Sequence, residues 1–424
     1  MKFGTDGVRG PAGVWPIDEA GAARIGAAAT RLGGQGARVV VARDTRPSGP
    51  GLMAAVCAAI QASGGQALDA GVLPTPAVSL AVQRGLADVG VMITASHNDA
   101  PDNGFKLFTV GGRKLTADET AQVETWLVQP LVPADGGSVS PAPQVREQYL
   151  SALKDALDVD LSGKSIAVDM ANGAAMALAG DLASLCGATV VQVAAGDGPI
   201  NAGCGAVHPE RLAETVRLQE LDGGFAVDGD ADRCTLVTEQ GEVVPGDALI
   251  LRLAQARQVT GLAVTVMSNA ALESQLPGVQ VVRTPVGDKH LQRAMASQGL
   301  PLGGEESGHV LFDDWPGGDG LLTGFRALAA CFAGADTVSQ AMASYVAFPR
   351  DLSKLTVGNK PPLAEVEGLT KMLAQWESEL NGGRVFIRYS GTESVVRILV
   401  EGPEDDAVQR IAHASREWLA QALA

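Results

Sequence analysis

Asp228, Asp230 and Asp232 alternate in the run DGDADR and put three carboxylates within five residues, behind a short apolar stretch. Two such charges about 4 Å apart repel by about 4 kcal/mol at an effective dielectric of 20, so the cluster is stable mainly around a cation. Oxygen donors at this density suit a hard divalent ion that keeps positions open for a phosphate oxygen. The bland alternative is an exposed acidic turn. The EF-hand spacing is also present through Glu239, but Arg233 stands where that loop needs glycine and a strand, not a helix, leads in. A second motif, TASHN, places Ser96 at the end of an apolar strand, among Thr94, His97 and Asn98. A hydroxyl there can be a nucleophile or carry a phosphoryl group, or it can merely cap a helix. Ala95 precedes it and no glycine flanks it, so a hydrolase nucleophile elbow is absent.

Two further loops carry polar groups at useful spacing. In RYSGTESVVR, Arg388 and Arg397 flank Ser390, Gly391 and Thr392, whose hydroxyls and backbone N–H groups could wrap a phosphate dianion. A plain hairpin, or a capping box from Ser390 to Glu393, explains the same letters, although the β-rich VVRILV that follows disfavours a helix. In GGEESGH, Glu305, Ser307 and His309 offer donors and acceptors of the kind that grip sugar hydroxyls, or they form a mobile acidic loop. Arg9 with Asp6 in FGTDGVRG, and Lys106 in DNGFK, can serve a phosphoryl site or be solvated charges. Five histidines with no clustered pair leave little for a catalytic zinc.

The elements that must position these groups repeat. RVVVARDTR from Arg38, SIAVDMANGA from Ser165 and LAVTVMSNAA from Leu262 each run β-rich residues into a polar turn and then a small-residue helical stretch. Within each unit a second strand-like run ends in one of the loops above: DVGVMITASHN, GGFAVDGDADR and GLPLGGEESGH. Ligands of open parallel sheets collect outside the carboxyl ends of strands, so three such loops can face one crevice. The expected fold is α/β: three related α/β domains with mixed sheets, plus a smaller C-terminal α+β domain, around a central cleft. Val128–Gln144, rich in Pro, Gly and Ser, reads as the first linker. The expected spans are 1–140 with the serine loop, 141–243 with the metal loop, 244–348 with the sugar loop, and 349–424 with the phosphate loop.

The 424 residues exceed what one small domain needs, and 46% apolar content is enough for large cores. A net charge of −16 repels nucleic acid and anionic membrane, so neither is an expected partner, and an anionic ligand needs a local basic cluster. No apolar run reaches the roughly 18 residues of a membrane span. The opening MKFGTDGVRG carries Asp6 and Arg9 where a secretory signal would be apolar. Cys57, Cys186, Cys204, Cys234 and Cys331 are scattered and odd in number, which fits reduced thiols in a cytoplasm. A monomer or homodimer is expected.

Taken together, these motifs resemble the α-D-phosphohexomutase superfamily, from the first ten residues to the tail near Gly402. The resemblance implies a phosphoserine at Ser96 and a Mg²⁺ held by Asp228, Asp230, Asp232 and the Ser96 phosphoryl group. It implies catalytic neighbours in Arg9, His97 and Lys106, with Lys106 a proton-transfer partner. Glu305, Ser307 and His309 would bind the sugar. Arg388, Ser390, Gly391, Thr392 and Arg397 would hold the phosphate that is not reacting, and Arg233 would also bind substrate. The implied partner is a small hexose phosphate, an amino sugar. FGTDGVRG, the VGDK stretch from Val286 and the CG after Gly203 are most similar to the branch acting on glucosamine phosphates, with mannose or glucose phosphates as the alternative. Asp99 stands where the family usually has proline, Ala231 where it has glycine and Ser394 where it has proline; the catalytic groups are retained. A phosphoserine phosphatase would instead release free phosphate, and a silent sugar-phosphate sensor would have lost the serine or a metal ligand.

Overall fold

The computed structural model describes residues 2–4, 6–196, 198–390 and 393–423. They form two compact units, one of residues 1–267 and 280–342, the other of residues 268–279 and 343–424.

The first unit holds three mixed sheets. The largest contains β1 (Val8–Pro11), β2 (Arg38–Arg43), β3 (Gln66–Val72), β4 (Val89–Ile93), β5 (Asp102–Thr109), β6 (Arg113–Lys114) and β7 (Ser138–Pro141), in the order β1-β5-β4-β2-β3-β7, with β6 also on β5. The second contains β8 (Ser165–Asp169), β9 (Thr189–Val193), β10 (Gly223–Val227) and β11 (Cys234–Thr238), in the order β11-β10-β8-β9. The third contains β12 (Gly261–Thr265), β13 (Gln280–Thr284), β14 (Leu302–Gly304) and β15 (Val310–Phe312), in the order β13-β12-β14-β15. The repeat is therefore topological. In each sheet two successive strands run parallel, a third joins the first in parallel, and a fourth turns back antiparallel on the third. The three loops singled out in the sequence are the same connection, third strand to fourth, made three times.

Burial explains the runs of Val, Ile and Ala in the parallel strands, which are covered on both faces. Val39–Ala42 of β2, all of β4 and all of β10 are buried. The core of the largest sheet joins Val39, Val41, Ile93 and Phe105 to Ile25, Val56 and Ile60 of the helices Glu19–Gly33 and Gly49–Ala62. The first helix starts where Asp18 accepts from the Gly21 N–H at 2.8 Å, an N-cap for an otherwise orphan donor.

One expectation needs correcting. The Pro/Gly/Ser-rich stretch read as a linker carries β7, which pairs in parallel with β3 from Gln66↔Ser138 to Asp69↔Pro141. An edge strand can hold proline and exposed polar residues, so its composition looks like a loop's. The helical continuation after β8 is also broken, into a 3₁₀ turn at Ala174–Leu178 and a short helix at Leu182–Cys186.

The second unit is α+β. β16 (Arg350–Thr356), β17 (Arg384–Tyr389) and β18 (Val395–Glu401) form an antiparallel sheet in the order β16-β18-β17, packed with the helices Leu369–Glu379 and Asp405–Ala422. It includes the segment 268–279, because Ala270 N–H donates to Glu401 Oε1 at 3.0 Å and Asn269 bonds both the N–H and the C=O of Phe348. Among the described residues no helix is long and apolar enough to cross a membrane.

Candidate active site

The Ser96 loop leaves β4, and Ser96 itself adopts the left-handed region at φ 53, fully buried. Its Oγ donates to Asp228 Oδ2 at 2.6 Å and lies 3.3 Å from His97 Nδ1. The DGDADR loop comes close enough that Gly229 has no room for a side chain: a Cβ there would sit 2.6 Å from the Ser96 carbonyl oxygen. Glycine at 229 is thus required for the nucleophile loop and the acidic loop to meet.

The three aspartates are buried, with carboxylate oxygens within 4.8 Å of one another. Burial, then Asp232 and Asp230, push Asp228 up to about 7. Asp230 Oδ1 and Asp232 Oδ1 are buried without a hydrogen-bond partner among the described residues. Orphaned, mutually repelling carboxylate oxygens are what a hard divalent cation satisfies, so this donor set fits a metal.

Lys106, on β5, reaches across to the same carboxylates. Its Nζ lies 2.7 Å from Asp230 Oδ2, 2.7 Å from Asp232 Oδ2 and 3.1 Å from Asp6 Oδ2. Burial opposes its charge, but those carboxylates outweigh it and hold the ammonium well above its ordinary pKa. Arg9 pairs with Asp6. Burial, Arg233 and Arg9 lower His97 to about 4, which keeps its imidazole neutral at pH 7.

In the third loop, Glu305 Oε1 accepts from the Gly287 N–H at 2.8 Å and its backbone N–H donates to the His309 carbonyl at 2.9 Å. Gly308, at φ 83, is the tight point, since a Cβ would meet the Cys234 carbonyl oxygen at 2.0 Å. Ser307 Oγ is 3.4 Å from Glu305 Oε2. His309 stands 3.7 Å from Asp232 and 3.5 Å from Asp288. Burial would lower its pKa, yet these two acids raise it to about 10. A cavity of about 450 Å³, the size of a small-ligand site, is lined by Arg9, Lys114, Asp232, Arg233, Glu305 and His309 among others.

The structure thus gathers Arg9, Ser96, His97, Lys106, Asp228, Asp230, Asp232, Arg233, Glu305 and His309, with Ser307 on the same loop. It also shows groups that sequence reasoning missed. Lys114 pairs with Asp6 and Asp288, Thr75 donates to Asp230, and Asn201 Nδ2 donates to the Ser96 and Asn98 carbonyls at 2.8 and 2.9 Å. Asp288 had a signal, the VGDK stretch; the others had none.

In the second unit Arg388 of β17 and Arg397 of β18 are direct cross-strand partners. Like charges placed opposite each other repel, which favours an anion between them. Arg397 Nη2 is held by Glu393 Oε2 at 2.9 Å, while its Nε is buried with no acceptor among the described residues. Lys360, a cation not singled out from the sequence, donates to the carbonyls of Ser390 and Glu393 at 2.8 and 2.7 Å. The turn is a hairpin, although Glu393 N–H does donate to Ser390 Oγ at 3.3 Å. Gly391 and Thr392 lie outside the described residues.

Residues 1–129 match the family model for phosphoglucomutase/phosphomannomutase alpha/beta/alpha domain I, 245–348 that for domain III and 352–417 that for the C-terminal domain. The phosphoglucosamine mutase of Deinococcus deserti is 40% identical over 97% of this chain and 96% of its own length. The chain belongs to the phosphohexomutase family. The phosphoglucosamine mutase of Symbiobacterium thermophilum is likewise 40% identical, over 98% of both chains. A crystal structure of a phosphoglucomutase/phosphomannomutase family protein from Burkholderia thailandensis shares the fold, with a TM-score of 0.79 at 24% identity over 99% of this chain and 97% of that one. Membership of this phosphohexomutase family makes the chain a mutase, an isomerase by reaction class, and its buried acidic triad is able to bind a metal.

Proposed function

We propose that this mutase interconverts glucosamine 6-phosphate and glucosamine 1-phosphate through a phosphoserine at Ser96 and a 1,6-bisphosphate intermediate. The observation that carries the reading is the Ser96 hydroxyl, buried at a strand end and hydrogen-bonded at 2.6 Å to one member of an acidic triad. The choice of sugar is supported by relatives at 40% identity across the full length that bear the glucosamine name.

Asp228, Asp230 and Asp232, with the Ser96 phosphoryl group, would hold a Mg²⁺ ion. When bound, that ion supplies neutralisation of the charge that develops on the transferring phosphoryl oxygens. The chain's own residues do the rest. A sugar hydroxyl oxygen bonds to phosphorus as the bond from phosphorus to Ser96 Oγ breaks, and a proton passes from sugar to serine. Lys106, an ammonium paired with Asp230 and Asp232, is the charge partner beside the serine and the relay for that proton, taking one from the sugar hydroxyl as it passes its own to Oγ. Arg9 and Arg233 set positive charge along the cavity wall, and neutral His97 stands beside Oγ. Glu305, Ser307 and His309 orient the sugar, whose bisphosphate form turns over before Ser96 takes back the other phosphate. Arg388, Ser390 and Arg397 offer a phosphate site on the hairpin. The buried thiols of Cys57, Cys186, Cys234 and Cys331 support a reducing, cytoplasmic setting.

A side-by-side assay of glucosamine, glucose and mannose 6-phosphates, with a bisphosphate primer and Mg²⁺, tests the substrate. The glucosamine compound should lead in kcat/KM by at least about tenfold; a lead for mannose or glucose overturns the assignment. Ser96→Ala should lose at least about 1,000-fold in kcat and all covalent label from a radioactive bisphosphate donor. Persistent label in that variant would remove Ser96 from the mechanism.

A further inference from the structure

One fully hydrogen-bonded cation of the first unit stands outside the cavity lining. Arg46, in the turn after β2, has a side chain of 0% exposure, and all five of its guanidinium N–H groups have acceptors. Nε donates to Asp44 Oδ2 at 3.0 Å. Nη1 donates to the carbonyls of Asp102, at 2.8 Å, and Asp99; Nη2 donates to those of Ser96, at 3.0 Å, and Asn98, at 2.6 Å. Four of the five acceptors are thus backbone carbonyls in or at the end of the single loop that carries Ser96.

The fifth closes a ring. Asp44 Oδ2 also accepts from Thr94 Oγ1 at 2.6 Å, and Thr94 Oγ1 accepts from the Ser96 N–H at 2.8 Å. Starting at the Ser96 carbonyl, the path runs through Arg46, Asp44 and Thr94 and returns to the Ser96 amide. One buried ion pair therefore grips both backbone polar groups of the residue that donates its hydroxyl to Asp228. It does so where the backbone needs holding: a left-handed conformation is unfavourable for serine by about 1–2 kcal/mol, and Ser96 sits at φ 53. The Asn201 carboxamide adds a second grip on the Ser96 and Asn98 carbonyls.

We propose that Arg46 and Asp44, acting through Thr94, are positioning residues for phosphoryl transfer: they fix the backbone of Ser96 so that Oγ points into the acidic triad. The proposal rests on the phosphoserine reading above. Its physical basis is that a displacement of about 1 Å at the reacting atom can cost about 100-fold in rate, whereas sugar binding uses other loops.

Arg46→Lys tests it, because lysine keeps the charge opposite Asp44 and offers three donors in place of five. Parent and variant are compared for thermal melting, for kcat and KM, and for the rate at which Ser96 takes label from radioactive glucose 1,6-bisphosphate. A cooperatively melting variant should show kcat down about 100-fold, the labelling rate down in proportion, and KM within about twofold of the parent. That split between kcat and KM is what a merely structural role would not produce. A folded variant with parental kcat, or one whose KM alone rises, overturns the proposal. Should Arg46→Lys fail to fold, Thr94→Val decides, since it removes the relay and leaves the ion pair: about a tenfold loss of kcat at unchanged KM supports the ring, and parental kcat overturns it. A parent enzyme that takes no label sinks the phosphoserine reading itself, so the two failures are distinguishable.

Discussion

Ala231 shows how a single residue can be read in both sequence and structure. It stands in DGDADR, and it sits buried in the left-handed region at φ 58. That conformation costs a non-glycine residue about 1–2 kcal/mol, while glycine gives back about 0.4–1 kcal/mol through the entropy of the unfolded chain. Ala231→Gly should therefore raise stability by about 0.5 kcal/mol, or a melting temperature by about 1–2 °C. Calorimetry checks this, and a lower melting temperature would mean that the buried methyl group contributes more than the strain costs. At the same scale, Ser96 and the three aspartates were legible because strand letters lead into them and because their chemistry has few other uses. Arg46, Lys114 and Asn201 were not, since nothing in a sequence separates a buried arginine or asparagine from a solvated one.

At the scale of elements, a helix start seats the acidic loop, since the Gly320 N–H donates to the Ala231 carbonyl at 2.9 Å. Asp319 caps that helix, Gly320–Gly334, by accepting from the Leu322 N–H at 3.0 Å while Tyr149 donates its hydroxyl to the other oxygen at 2.9 Å. Burial raises the Asp319 carboxyl to about 6 in spite of those bonds. Its folded pKa thus exceeds the unfolded value of about 3.8, so between those values the folded state binds more protons and stability falls as pH rises. The contribution is full below about pH 4 and lost above about pH 6, up to about 3 kcal/mol. Asp319→Asn keeps the cap acceptor and removes the proton. Denaturant melts from pH 4 to pH 7 should show the parent losing stability relative to the variant across that window, and parallel curves would count against the assignment. The strand, turn and loop order was visible in composition, whereas β7 was hidden because an edge strand tolerates the letters of a linker.

At the scale of the whole molecule, a metal that binds the folded triad and not the unfolded chain must stabilise the fold. Mg²⁺ at about 100 times its dissociation constant should add about 2.7 kcal/mol. Melting temperature should rise with Mg²⁺ and return on chelation, and it should stay flat in Asp230→Asn; a flat response in the parent would remove the triad as the metal site. By itself the sequence determined the α/β class, the threefold recurrence of its units, the loops that carry chemistry and the sign of the field an anionic substrate meets. These are local properties, set by the period of apolar residues and by which side chains a short loop contains. Only the tertiary structure decided that the three loops are the same connection in three sheets of one topology. It alone brought Lys106 to Asp230 and Asp232 across 124 and 126 residues of chain, and closed the ring of Arg46, Asp44 and Thr94 around Ser96. The ring joins the carboxyl ends of the adjacent parallel strands β2 and β4, whereas Lys106 reaches its partners because the β4–β5 and β10–β11 segments of two different sheets meet, and no spacing along the chain encodes either meeting.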